Sequence, residues 1–138
     1  MLNEFDVKVD LLIAKIITHS TKLSQGDEEA DNFFYEYIKL ISELFSNEQG
    51  INAMKILINA LHPSVRMVGA YHLLPYEAKL AEKTLKKLAK IHLCQVDFYS
   101  KSLLQDWKKG TLRFPRWINE ELVLLTPNEL LDMQSSLE

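Results

Sequence analysis

The sequence predicts an all-α fold, in which short antiparallel helical hairpins stack on one another and a C-terminal extension ends in a short helix. Three observations lead to this fold class. Apolar residues recur at steps of three and four along most of the chain, which is the period of an amphipathic helix. Helix-start signals, either a proline or a capping residue, separate these segments. The helical pattern also matches itself after a shift of 31 residues.

The chain's 138 residues suffice for one helical domain with its own core. We divide it into two N-terminal helices over residues 1–50, two hairpins over 51–112 and an extension over 113–138. No apolar run approaches the ~18 residues of a membrane span, and acids stand at the N-terminus where a secretory signal carries positive charge. The lone Cys94 predicts a small buried side chain in a reducing cytoplasm.

The first helix boundaries follow from local signals. Two helices are expected over residues 4–23 and 28–45, where apolar residues form one broad face. Gly26 stops the first of these helices, and Asp27 is placed to cap the second. The segment Ser46–Gln49 has the spacing of a capping box, so we expect the third helix to start there.

Two prolines define the helices that follow. Pro63 and Pro75 each suit the first turn of a helix, where a missing backbone N–H leaves no hydrogen bond unmade. Amphipathic patterns then cover residues 76–90 and 95–109.

The extension contains one strong local signal. The segment Thr126–Glu129, "TPNE", combines a capping box with a proline at the first helical position, and it predicts the last short helix. No strand alternation of convincing length is present, and "ELVLL" at residues 121–125 is ambiguous.

The 31-residue shift superimposes one helical pair on the next. Met54 then falls on Leu85, and Gly69 falls on Ser100. Because small side chains let helices approach closely, Gly69 and its neighbour Ala70 predict a helix crossing. The packing there must offset the ~1 kcal/mol that a glycine costs inside a helix. A bundle of the same helices without a repeat is the alternative.

Two stretches, "VRMVGAYHLL" at residues 65–74 and "SLLQDWKKGTL" at 102–112, resemble a small bacterial HEAT-like helical-repeat family of unknown function. Gly69 departs from the family pattern, and the residues that match it are Val65, Arg66, Ala70, Leu73, Leu74, Trp107, Gly110 and Leu112. The match is clearest over residues 51–112 and absent over 113–138. The resemblance implies stacked α-hairpins without catalytic residues. Some members resemble toxin-neutralising immunity proteins, which implies a protein partner such as a co-encoded toxin.

Catalytic and metal-binding patterns are missing from the sequence. The four histidines have no metal-ligand spacing, and each is expected at the surface or at a helix end: His19, His62, His72 and His92. There is neither a nucleophile elbow nor a glycine-rich phosphate loop. We therefore predict a non-enzymatic protein with no catalytic residue, no metal ligand and no cofactor.

Charge is segregated along the chain. Residues 27–48 carry a net charge of −6, and residues 79–116 carry +7. An acidic surface facing a basic partner, such as a nuclease toxin, gains association rate and specificity. The candidate partner-binding residues are Asp27, Glu28, Glu29, Asp31, Trp117, Glu120 and Glu121. The alternatives are an acidic surface that only keeps the protein soluble and a Trp117 that docks the tail onto the helices.

A lysine-rich helix face supports nucleic-acid binding as the alternative function. Its candidate residues form a stripe at helical spacing and are Lys79, Lys83, Lys86 and Lys90. Aromatic and basic residues follow downstream, and grooves that bind a nucleic-acid backbone combine such residues. The sequence pI of about 5.8 is far from that of a dedicated nucleic-acid binder.

Overall fold

The computed structural model describes residues 3–137, apart from the side chain of Cys94, whose expected burial therefore stays a prediction. Within these residues the chain forms seven helices and one two-stranded sheet, and the all-α prediction is confirmed. The elements are α1 (Glu4–Ser24), α2 (Ala30–Ser46), α3 (Gly50–Leu57), α4 (Pro63–Leu73), α5 (Ala78–Leu88), α6 (Cys94–Lys109), β1 (Phe114–Ile118), β2 (Glu121–Leu125) and α7 (Pro127–Ser135).

Helix α4 lies at the centre of the helical array. It packs against α1, α3, α5 and α6, while α2 packs against α1, α3 and β1. A single core runs through these contacts, and its fully buried side chains include Leu12, Ile38, Ile41, Leu44, Met54, Leu57, Leu73, Leu74 and Leu85. None of the helices within residues 3–137 has both the length and the apolar content needed to cross a bilayer.

The close crossing predicted at Gly69 is present between α3 and α4. A Cβ atom added to Gly69 would lie 2.6 Å from the Cβ of Leu57 and 3.0 Å from the carbonyl oxygen of Met54. Since both neighbours are held by the helix itself, any larger residue at this position would push α4 away from α3. The structure thus explains why a helix interior contains the least favourable residue after proline.

The repeat pattern holds better in the first helices of the two pairs than in the second. Met54 and its repeat partner Leu85 are both fully buried. Gly69 and Ser100 are also both buried. Val68, however, is 7% exposed, whereas its counterpart Tyr99 is 42% exposed. Tyr99 borders an open cavity between α6 and the helices α1, α2 and α4, so it is less covered than Val68.

Two expected helix starts are wrong. Ser46 belongs to the end of α2, where its hydroxyl donates to the carbonyl of Glu43, and α3 starts at Gly50. Pro75 lies in a turn before α5, because the N–H groups of Tyr76 and Glu77 both bond back to the carbonyl oxygen of Leu73. Helix α2 therefore runs one residue beyond its expected end at residue 45, and α5 starts only at Ala78, three residues after Pro75.

Other local predictions are confirmed. Pro63 opens α4, and the ring nitrogen Nδ1 of His62 accepts the N–H of Ser64 as an N-cap. Gly26 adopts a left-handed conformation just after α1, with φ +67°. Thr126 and Glu129 form the complete capping box at the start of α7.

The extension contains a β-hairpin that the sequence did not predict. Strands β1 and β2 are antiparallel, with Phe114 opposite Leu125 and Trp117 opposite Leu122. Residues 119 and 120 connect them in a two-residue turn, and both have positive φ, 50° and 65°. The alternation was obscured because β1 buries a charged residue, Arg116. Strand β2 also keeps apolar residues on its exposed face.

Candidate functional site

Of the acidic residues near α2 that were predicted to bind a partner, Asp27 forms hydrogen bonds within the fold, whereas the others are exposed. The carboxylate of Asp27 accepts the N–H of Glu29 at 2.8 Å and the Nζ of Lys22 at 3.2 Å, and these bonds lower the pKa of Asp27. Asp27 therefore caps the turn that leads into α2 and is committed to the fold. Glu28, Glu29 and Asp31 are exposed, and none forms an ion pair within 4.0 Å among residues 3–137.

Trp117 docks the hairpin onto α2. Its backbone N–H donates to the Oγ of Ser42 at 2.8 Å, so one edge of the sheet is covered by the helix. The ammonium of Lys39 lies 4.4 Å from the centroid of the indole, and the ring of Tyr35 lies 6.3 Å away. These contacts leave the side chain of Trp117 half-buried. Docking of the tail onto the helices, the alternative role for Trp117, is thus part of what this residue does.

The outward face of the hairpin is apolar. Directly opposite residues in an antiparallel pair point to the same side, so Leu122 lies beside Trp117, and Leu124 lies beside Pro115. Leu122 is 37% exposed and Leu124 is 63% exposed. No sequence signal identified these two leucines as surface residues, because an apolar run normally indicates burial.

The structure brings several predicted residues to one side of the molecule. Asp31, Tyr35 and Lys39 follow each other at steps of four along α2, so they share one helix face. Glu120, at the tip of the hairpin, lines a shallow depression together with Lys39 and Trp117. We call the set the acidic–aromatic surface and define it as Asp31, Tyr35, Trp117, Glu120, Leu122 and Leu124. The predicted residue Glu121 pairs with Ile118, so its side chain lies on the opposite face of the hairpin and outside this surface. Glu28 and Glu29 lie just beyond it, in the turn before α2.

The predicted lysines lie together on α5 and in the turn that follows it, where Lys90 lies. They line one depression of about 380 Å³, together with Lys87, which was not among the candidates. The predicted lysines in this depression are Lys79, Lys83, Lys86 and Lys90, and its one acidic residue is Glu82. The carboxylate of Glu82 accepts a hydrogen bond from the indole N–H of Trp107 at 3.0 Å. None of the five lysines forms an ion pair within the described part of the chain.

A buried arginine is the polar feature that sequence reasoning missed. Arg116 on β1 is 2% exposed. Its Nη1 donates to the Nδ1 of His72 and to the carbonyl of Pro115, each at 2.8 Å. The guanidinium carbon lies 4.7 Å from the ring centroid of Phe45. Two further nitrogens of Arg116, Nε and Nη2, are buried without a hydrogen-bond partner among the described residues.

The titratable groups around Arg116 are neutral at pH 7. Burial, and then the charge of Arg116, hold the pKa of His72 well below its ordinary value of 6.5. Burial raises the pKa of Tyr71 to about 12 and also raises that of Tyr76. Arginine stays protonated in proteins, and no carboxylate within residues 3–137 comes within 4.0 Å of Arg116. His72 lies at a helix end, in the last turn of α4, as expected of the histidines, but its side chain is 1% exposed and so does not reach the surface.

Arg116 lines a cavity of about 410 Å³ between α2, β1 and α7. Its walls are mostly apolar, with the rings of Phe45 and Tyr76 on one side and Leu130, Met133 and Leu137 of the C-terminal segment on the other. The hydroxyl of Ser42 also lines the cavity, but it is occupied by the carbonyl of Ile38 and the N–H of Trp117.

A second cavity, of about 340 Å³, lies between α1, α2, α4 and α6, and its walls include Leu23, Phe34, Val68 and Leu103. His19 lies on its wall, and partial burial lowers the pKa of that histidine. Nowhere in the described residues do three histidine, cysteine, aspartate or glutamate side chains gather to hold a metal ion.

Comparison with protein-family models, with curated proteins and with solved structures finds no match to this chain. We therefore infer function from the geometry of the chain's own residues.

Proposed function

We propose that this protein is a non-enzymatic protein-interaction module, and that it binds a basic partner through the acidic–aromatic surface. The observation that carries the proposal is the outward face of the hairpin, where Leu122 and Leu124 are exposed beside Trp117. Exposed carboxylates flank this apolar face, with Asp31 on α2 and Glu120 at the tip of the hairpin.

This composition suits an interface. Protein interfaces have an apolar and aromatic centre surrounded by a polar rim, and tryptophan is among the residues that most often dominate the binding energy. The indole of Trp117 is already in contact with Lys39, and its backbone is held by Ser42. A side chain that is ordered before binding loses little conformational entropy when a partner covers it.

The charge of the surface indicates the class of partner. Asp31 lies in the first turn of α2, and Glu28 and Glu29 extend the acidic region beyond the N-terminal end of that helix. An acidic surface of this kind accelerates association with a basic protein and disfavours acidic ones. We propose a basic toxin domain in the cytoplasm as the partner, because some members of the HEAT-like family that the sequence resembles are similar to immunity proteins, and a nuclease toxin needs a basic surface to meet phosphate.

The lysines on α5 and in the turn after it favour a second candidate function, the binding of a nucleic acid. Five lysines share one depression with a single carboxylate, that of Glu82, which already accepts the hydrogen bond of Trp107. Backbone phosphates would meet these charges without competition from an ion pair among the described residues. The overall net charge of −3 makes this the weaker candidate.

A capture experiment distinguishes the two functions. Tagged protein is immobilised and exposed to nuclease-treated and untreated lysate of the source cell. The wild type is compared with the variant Glu28→Lys/Glu29→Lys/Asp31→Lys and with the matched variant Lys79→Glu/Lys83→Glu/Lys86→Glu. We expect a basic protein that the wild type and the lysine variant retain, and that the acid variant loses. Retention of nucleic acid alone, abolished only in the lysine variant, would support the second function instead.

A further inference from the structure

We infer that the open cavity between α1, α2, α4 and α6 is a binding site for a small, uncharged aromatic molecule. This inference goes beyond the proposed protein interaction and is independent of it, because it concerns the inner faces of the helices and not the outward face of the hairpin. The observation behind it is a cavity of about 340 Å³ with many aromatic side chains on its wall. Among the described residues, no lysine, arginine, aspartate or glutamate lines it.

Three helix faces converge on this cavity. On each of α1, α4 and α6 the lining residues recur at steps of three and four, so they lie on one face of the helix. These faces consist of Ile16, His19, Ser20 and Leu23 on α1, of Ser64, Met67, Val68 and Tyr71 on α4, and of Gln95, Val96, Tyr99, Ser102 and Leu103 on α6. Helix α1 packs against α2 and α4, while α6 packs against α4 and α5. The space between α1 and α6 is therefore fixed by their contacts with other helices.

The size of the cavity suits a molecule with two fused rings. Its volume of about 340 Å³ falls in the range of small-molecule pockets, roughly 300–1,000 Å³. An apolar cavity of about 150 Å³ holds one benzene molecule, so a cavity of about twice that volume has room for a second ring. Ile16 and Val68 are buried at its inner end, whereas Leu23 and Tyr99 are exposed at its rim. A ligand therefore reaches the cavity without unfolding any helix.

The aromatic side chains of the wall favour an aromatic ligand. The ring centroid of His19 lies 5.8 Å from that of Phe34 and 5.4 Å from that of Tyr37, and the last two are 5.3 Å apart. Tyr71 and Tyr99 add two more rings, from α4 and α6. Aromatic rings attract one another in edge-to-face and offset-stacked arrangements. A planar ring system between these walls would make such contacts on several sides.

The charge of the wall favours an uncharged ligand. Burial lowers the pKa of His19 more than the charge of Asp31 raises it, and burial raises the pKa of Tyr37, so both groups are neutral at pH 7. An ion that entered would lose its hydration and meet no opposite charge on the wall formed by the described residues. A neutral imidazole can donate one hydrogen bond and accept another. One hydroxyl or carboxamide group on the ligand is therefore compatible with this wall.

The test uses ligands that share a ring system and differ in charge. At pH 7, 2-naphthol and 2-naphthamide are titrated into the full-length protein, with 2-naphthoate and 2-naphthyltrimethylammonium as charged controls and 2-decalol as a saturated one. Binding is followed by calorimetry and by the NMR signals of the leucine and valine methyl groups. We expect saturable binding of both neutral naphthalenes, with shifts at Val68 and Leu103 on two walls of the cavity and none at Leu130, which lines the other cavity.

The charged and saturated controls should bind at least about tenfold more weakly, since each lacks a property that the wall favours. Equal affinities for the neutral and charged naphthalenes would overturn the inference. An equal affinity for 2-decalol, or the absence of binding by both neutral naphthalenes, would overturn it as well.

Tryptophan variants test the location of the site. Ser102→Trp places an indole in the cavity from the half-buried wall of α6, and Gln105→Trp, at an exposed position of the same helix, is its matched control outside the cavity. We expect Ser102→Trp to weaken 2-naphthol binding at least about tenfold, because the indole occupies the ligand's space, and Gln105→Trp to leave it unchanged. Leu23→Trp at the rim, with Leu11→Trp on the same helix as its control, repeats the comparison at exposed positions that do not endanger folding. Equal binding within both pairs would place the ligand elsewhere and contradict the inference.

Discussion

The Nη1 atom of Arg116 and the Nδ1 atom of His72 lie 2.8 Å apart, across 44 residues of sequence. Arginine can only donate, so the imidazole accepts at Nδ1 and has its proton on Nε2. This hydrogen bond joins β1 to α4, the central helix. The extension is therefore held to the helical core by a polar contact that requires a neutral histidine.

Acid should weaken the fold through His72. The folded-state pKa of His72 lies well below 6.5, near which the unfolded chain takes up its proton. The contribution of neutral His72 to the stability of the folded state is thus complete above pH 6.5. It is lost as the pH falls below 6.5, because there the unfolded state binds the proton and the folded state does not. His19, whose pKa is also lowered by burial, acts in the same direction.

We expect the free energy of unfolding to fall by about 1 kcal/mol for each pH unit between 6 and 5, as measured by urea denaturation. The variant His72→Gln keeps an acceptor and should flatten this dependence. His92→Gln, at an exposed position, is the matched control and should retain it. A wild-type stability that is constant between pH 7 and pH 5 would contradict a neutral, buried His72.

The crossing of α3 and α4 should not tolerate a side chain at Gly69. Gly69→Leu would force the new side chain against Leu57 and the backbone of Met54, and it should cost about 1–3 kcal/mol of stability. Asn52→Leu adds the same side chain at an exposed position of α3 and should change stability by less than about 0.5 kcal/mol. Thermal melts of the two variants compare these effects. Similar melting temperatures would mean that the helices do not cross closely at Gly69.

The capping box should decide whether α7 stays formed. Thr126→Ala removes the oxygen that accepts the N–H of Glu129, and it should cost about 1 kcal/mol. Asn128→Ala changes an exposed residue of the same first turn and serves as the control. Hydrogen exchange of the α7 amides measures the difference. We expect faster exchange in Thr126→Ala only, and equal exchange in both variants would assign the stability of α7 to Leu130 and its packing.

Several features of the fold that depend on neighbours in sequence were predictable. Pro63 and the capping box at Thr126 act within a few residues, and a local pattern identified both, whereas the similar signals at Ser46 and Pro75 did not mark helix starts. The crossing at Gly69 was also predictable, because a glycine within an apolar helix face costs stability unless a neighbouring helix packs closely against it. The repeat alignment helped in the same way, since it placed the small residue Ser100 at an equivalent buried position.

Features that depend on distant residues were not predictable. The burial of Arg116 follows from His72, Phe45 and Pro115 closing around it, and a strand with a central arginine normally indicates exposure. The exposure of Leu124 was hidden for the opposite reason, because an apolar residue in an apolar run suggests a core position. Both misjudgements concern the hairpin, whose faces are fixed by its docking on α2.

Part of the candidate surface could be predicted from the distribution of charged residues along the sequence. Exposed acids before and within the first turn of α2 are expected from the charge pattern, and Asp31 lies there as predicted. The sequence did not reveal that Tyr35 and Lys39 share a helix face with it and contact Trp117. That contact requires the hairpin to lie against α2, which no local signal encodes.

The most direct test of the proposed function is the affinity of the captured partner for Leu124→Ser, measured by calorimetry with purified proteins. Leu124 is 63% exposed on the outward face, beside Pro115, and Leu61, which is 97% exposed in the loop between α3 and α4, provides the matched control variant Leu61→Ser. We predict that Leu124→Ser weakens binding at least about tenfold without lowering the melting temperature, while Leu61→Ser binds like the wild type. Equal affinities for the two variants would contradict a partner site on the acidic–aromatic surface.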